Sequence, residues 1–103
     1  MSLVLDQSAA PDMVRVRGEI RLVDAAESRQ VLLDALALGK TVEISLNPEE
    51  ELSLAALQLL VAAEREAYAT GVEYHYADGT AESVSRARAA AGMPLLGELV
   101  ATL

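Results

Sequence analysis

Apolar and polar residues alternate with period two in three stretches of the chain, and this alternation predicts its strands. Met13-Val14-Arg15-Val16-Arg17-Gly18-Glu19-Ile20 sets apolar residues against Arg15, Arg17 and Glu19. Thr41–Leu46 puts Val42, Ile44 and Leu46 on one face and Thr41, Glu43 and Ser45 on the other. Val72–Tyr76 alternates again. Leu3-Val4-Leu5 reads as a short extra strand. The Pro-containing stretch Gln7–Asp12 is a turn that pairs it antiparallel with the next strand.

Between strands the pattern becomes helical. Asp24, with Glu27 three residues on, reads as a capping-box-like start for a helix over Ala25–Leu38, stopped by Gly39. A second helix opens at Ser53 and closes at Thr70-Gly71. Its stripe Leu54, Leu57, Leu60, Val61 and Tyr68 is expected to face the core. After the turn Asp78-Gly79, Thr80 is expected to cap a third helix reaching about Ala91, where Gly92 stops it and Pro94 prevents resumption. Leu95–Leu103 is an apolar tail, read as a short fourth helix.

The order is ββαβαβα with a terminal α piece. Helical crossovers imply parallel pairing of the later strands. Strands covered on both faces would read as continuous apolar runs. The alternation here therefore implies an α/β fold with helices mainly on one face of a small mixed sheet. We expect 4–5 strands and about 4 α-helices in a single domain over 1–103.

Composition narrows the function. Half of the residues (52%) are apolar but 3% are aromatic, so the core is aliphatic. The absence of cysteine excludes disulfides and thiolate chemistry. A net charge of −8 opposes a nucleic-acid backbone, so no nucleic-acid partner is expected. Met1–Asp6 carries no basic n-region, and no run approaches the roughly 20 apolar residues of a span. A cytoplasmic protein without direct membrane insertion is expected, and one that works by binding protein.

The strand, turn and helix over Thr41–Tyr68 form the expected working region, because helix N-termini offer free N–H groups and a positive dipole end. Ser53 reads as an N-cap, with phosphorylation the sharper alternative. Glu49-Glu50-Glu51 reads as a solvated loop complementing the dipole, or as a permanent substitute for a phosphate's charge. His75 lacks a second ligand of suitable spacing, so no metal is expected. No P-loop, glycine-rich cradle or Ser–His–Asp arrangement is present, and neither an enzyme nor a cofactor is expected. Beside its core stripe, the second helix carries Ala55, Gln58, Leu59, Ala62 and Glu66. A surface helix is usually polar there, so a partner or the tail Leu95–Leu103 is expected to cover this side.

Several landmarks over residues 13–93 together resemble the STAS domain of bacterial anti-sigma-factor antagonists and sulfate-transporter cytoplasmic domains. Arg17-Gly18-Glu19-Ile20-Arg21-Leu22 resembles a strand ending in G-E-[LI]-D, and the helix Asp24–Leu38 follows it. Val42-Glu43-Ile44-Ser45-Leu46 is similar to the family's V-x-L-D-L strand. Val72–Tyr76 and the helix to Gly92-Met93 resemble the last strand and the helix ending in x-x-G-[LM]. Phosphorylated members carry D-[ST]-[ST]-G-L, where this chain has Ser53-Leu54-Ala55-Ala56-Leu57. The acceptor position falls on Ala55, a degenerate phosphoacceptor, the preceding Asp on Ser53 and the Gly on Ala56. The Asp of the G-E-[LI]-D strand falls on Arg21.

The resemblance implies a STAS-like fold and a non-catalytic regulatory adaptor, docking through the loop and helix after the central strand. Glu49, Glu50, Glu51, Ser53, Ala55, Gln58, Leu59 and Ala62 are its expected partner-binding residues. The partner is a regulatory protein such as an anti-sigma kinase. Alternatively it is the ATPase of a bacterial lipid-transport ABC complex, or a component of a chemosensory or two-component pathway. A homodimer remains a further use of the same surface.

Overall fold

A computed structural model describes residues 3–47 and 52–92. Among them are strands β1 (Val4–Ala10), β2 (Met13–Gly18), β3 (Thr41–Leu46) and β4 (Tyr74–Tyr76). Helices α1 (Ala25–Ala37), α2 (Leu54–Thr70) and α3 (Asp78–Ala91) follow β2, β3 and β4, with a 3-10 turn at Leu22–Asp24 before α1. The sheet order is β1-β2-β3-β4. β1 and β2 are antiparallel, whereas β2–β3 and β3–β4 are parallel. The order ββαβαβα and the mixed α/β sheet agree with the alternation pattern. The fourth helix expected over Leu95–Leu103 lies outside the described residues.

Period-two alternation becomes a one-sided sheet. Val14, Val16, Val42 and Ile44 are fully buried and meet Leu32, Ala35, Leu36, Leu57, Leu60, Ala63 and Val84 from the helices. Removing such aliphatic side chains from water is the main stabilising term. The opposite face is a polar row across all four strands, because Asp6 pairs with Arg15, Arg15 with Glu43, and Glu43 with His75. Arg15 Nε lies 2.7 Å from Glu43 Oε1, and His75 Nε2 lies 3.2 Å from Glu43 Oε2. The Arg15 hydrogen bond, ahead of that from His75, holds the Glu43 carboxyl below its usual range against some desolvation.

α2 is the middle helix of the covering layer, touching α1 on one side and α3 on the other. Its buried residues are Ala56, Leu57, Leu60, Ala63 and Ala67. The expected core stripe is therefore corrected at both ends: Leu54 is 58% and Tyr68 64% exposed. At about 100° per residue, both sit well round the helix from Ala56, Ala63 and Ala67. The small residues face inward, where short side chains let the helix lie close to the sheet.

Other expectations shift locally. β1 runs on to Ala10, through the stretch read as a turn, with an irregularity between Asp6 and Ala10. Asp24 makes no side-chain cap bond. The chain reaches α1 through the 3-10 turn, so Asp24 has φ −107° and ψ 18° instead of the extended backbone of a side-chain cap, and its carboxylate pairs with Arg21 at 3.1 Å. α3 starts two residues before Thr80, with Ala77 at the cap position. Gly71, at φ 74°, ends α2 in the left-handed conformation as expected.

Candidate functional site

Three helices start at the edge of the sheet where β2, β3 and β4 end. β3 hands over to Asn47, whose N–H donates to Gly18 O at 2.8 Å and ties the ends of β2 and β3 together. Pro48 and the acidic residues Glu49, Glu50 and Glu51 lie outside the described residues. The chain resumes at Leu52, and Ser53 takes the extended backbone of an N-cap. Its Oγ accepts the Ala56 N–H at 3.1 Å. One otherwise orphaned donor of the first turn is thus satisfied within the helix. The hydroxyl at this terminus is engaged as a cap, and position 55 carries a methyl group.

The remaining expected residues fall on two sides of α2. Gln58 and Ala62 are exposed and point away from the sheet, whereas Ala55 and Leu59 are half-buried. Leu59 packs against the core cluster. On the helical wheel it lies opposite the flank of Leu57, Val61 and Glu64, and Glu64 reaches α3. That geometry puts Leu59 on the α1 side, so a neighbouring helix accounts for much of its apolar character.

The α3 side of the same helix start is a trough of about 350 Å³, lined by Leu52, Ser53, Leu54 and Leu57 on one wall and Ala87, Ala90 and Ala91 on the other. Among the described residues, short alanines on α3 leave this space open, and Leu54 stands at its rim. Val23, in the 3-10 turn after β2, is 80% exposed. Two large apolar side chains thus face solvent at helix starts along one edge of the sheet.

A polar network holds α2 against α3 and β4. The Arg88 guanidinium, 4% exposed as a residue, donates to the Glu64 carboxylate. Tyr76 OH donates to the same carboxylate at 3.0 Å, and Tyr74 OH donates to Leu60 O at 3.3 Å. The two tyrosine rings meet edge to face with centroids 5.3 Å apart. Burial pushes both phenols up, with the neighbouring Tyr76 adding to the effect at Tyr74 and the Glu64 charge adding at Tyr76. Sequence reading missed this network, since Glu64 and Arg88 sit among exposed charges on separate helices. Arg88 has one signal: it falls four residues after the apolar position Val84, on the same face of the helix.

His75 is half exposed beside Glu43 on the bare face of the sheet. Among the described residues, no group of three or more His, Cys, Asp or Glu side chains is arranged to hold a metal ion. Nor is any described helix long and apolar enough to cross a membrane. Compared with protein-family models and with curated proteins, the chain matches none.

Proposed function

We propose that this chain is a non-catalytic, STAS-type adaptor that docks onto a regulatory protein through the start of α2, without phosphate transfer to that helix. The observation that carries the reading is Leu54. It is a large apolar side chain, 58% exposed, in the first turn of the helix after the central strand. Large exposed apolar residues beside a trough suit protein binding. Ala55 at the acceptor position and the engagement of Ser53 Oγ with Ala56 N–H support docking without a phosphate switch. The net charge of −8 favours a partner surface rich in Lys and Arg. An anti-sigma kinase is the partner class the STAS resemblance favours, acting in the cytoplasm.

Site-specific photo-crosslinking tests the reading. A photoreactive side chain at Gln58 or Ala62 is expected to form an adduct with a cognate anti-sigma kinase, and Leu54→Asp is expected to remove it. The same probe at His75, on the bare sheet face, is expected to form none. Adducts from His75 alone, or adducts unaffected by Leu54→Asp, would overturn the docking edge. Adducts with an ABC ATPase instead would keep the edge and replace the partner. Incubation with the kinase and ATP is expected to leave the intact mass of the chain unchanged; a phosphate adduct would overturn the unswitched reading.

A further inference from the structure

We infer that α3 opens as a unit, like a flap hinged on β4, while the sheet, α1 and α2 stay folded. The buried residues of α3 are Thr80, Val84 and Arg88, so a single aliphatic side chain is fully buried, with Ala87 packed part-buried beside it. By contrast α1 buries Leu32, Ala35 and Leu36, and α2 buries Leu57, Leu60 and three alanines. Apolar burial stabilises in proportion to the area removed from water, so α3 is the described helix with least to lose on leaving.

Its polar ties release at small net cost. Thr80 Oγ1 accepts the Leu46 N–H, and the Arg88 guanidinium donates to the Glu64 carboxylate. When α3 leaves, both partners of each pair regain water together, which offsets most of what the pairing contributed; stranding one charge alone is what costs. Topology permits the departure. α1 joins β2 to β3 and α2 joins β3 to β4, so strands hold each of them at both ends. α3 follows β4, at one end of the sheet, and every described strand precedes it. The Ala77 N–H donates to Ile44 O at 2.8 Å, which fixes the chain one residue before the helix and places the hinge at its first turn. Opening bares the flank of α2 that carries Leu57, Val61 and Glu64. It also frees the Leu46 N–H on the interior strand β3.

Native-state hydrogen exchange on the full-length chain, in a series of low denaturant concentrations, tests the flap. The amides of Val84–Arg88 and the Leu46 N–H are expected to share one denaturant slope, shallower than that of Val16 and Leu60, and to exchange roughly tenfold faster or more. Val84→Ala is expected to speed Leu46 and the α3 amides together, by roughly tenfold. Leu32→Ala acts on α1, which stays packed in the open form. It is expected to speed Val16 by roughly 30-fold or more and to leave Leu46 and the α3 amides within about twofold. Exchange of α3 in step with Val16 in the unsubstituted chain would overturn the inference without any variant. So would a Leu46 rate untouched by Val84→Ala, or α3 amides sped by Leu32→Ala as much as Val16. No partner enters the experiment, so its failure leaves the docking reading standing.

Discussion

The Thr80 hydroxyl accepts the backbone N–H of Leu46 at 2.8 Å, joining the first turn of α3 to the last residue of β3. Thr80 is 4% exposed, so neither group can exchange this bond freely for water. Thr80→Val keeps the shape and leaves the Leu46 N–H without its acceptor. We expect it to cost roughly 1–3 kcal/mol in chemical denaturation, with Thr80→Ser costing less. Equal stability for Val and Ser would show that the bond contributes nothing.

Leu54 and Leu57 lie one turn apart but have opposite consequences. Leu57 is 1% exposed, and Leu57→Ala is expected to cost about 2–5 kcal/mol through lost burial and the cavity left behind. Leu54→Asp changes an exposed position and adds an acidic group to a helix N-terminus. It is expected to shift stability by about 0.5 kcal/mol or less. Thermal melts of the two variants check the contrast, which also lets Leu54→Asp test the proposed docking without a loss of stability.

Arg88 and Glu64 form an ion pair that is easily broken and hard to replace singly. Arg88→Ala leaves the Glu64 carboxylate in a half-buried site without its cation and is expected to cost about 3 kcal/mol or more. The double substitution Glu64→Leu with Arg88→Met removes both charges and is expected to recover most of that loss. A double variant no more stable than Arg88→Ala would show that the pair itself, not the stranded charge, sets the cost.

Burial raises the pKa of Tyr74 and Tyr76 above the ordinary 10.0, so the folded protein keeps both phenols neutral where the unfolded chain loses their protons. Their contribution is fully present below pH 10 and is lost as the pH rises through the folded values. Stability is expected to fall above about pH 10, with the fall flattened in Tyr76→Phe. Denaturation midpoints at stepped alkaline pH give the comparison. Identical slopes for the two proteins would exclude Tyr76 as a source.

Period-two alternation made the strands and the bare sheet face legible, because a strand half covered by helices must change polarity at every step. Ser53, Gly71 and Gly92 were legible for local reasons, since caps depend on backbone geometry within a few residues. The orientation of α2 was not. Leu54 and Tyr68 look like core residues by type, whereas closeness to the sheet selects Ala56, Ala63 and Ala67. Thr80 reads as a cap for α3, but its hydroxyl serves Leu46, 34 residues earlier. Contacts of that span, like Glu64 with Arg88, are set by the packing of whole elements and leave little trace in spacing.

The row Asp6, Arg15, Glu43 and His75 carries a consequence for how molecules of this protein meet one another. A sheet dressed on one side has a broad, flat surface that would invite a second sheet to stack on it. Here acidic and basic residues alternate across the strands, and Arg15 already holds Glu43 at 2.7 Å. Charges neutralised within one molecule offer little attraction to its copy, and stacking would strip their water for no apolar gain. This polar face of the described sheet therefore offers a copy of the chain little reason to stack on it.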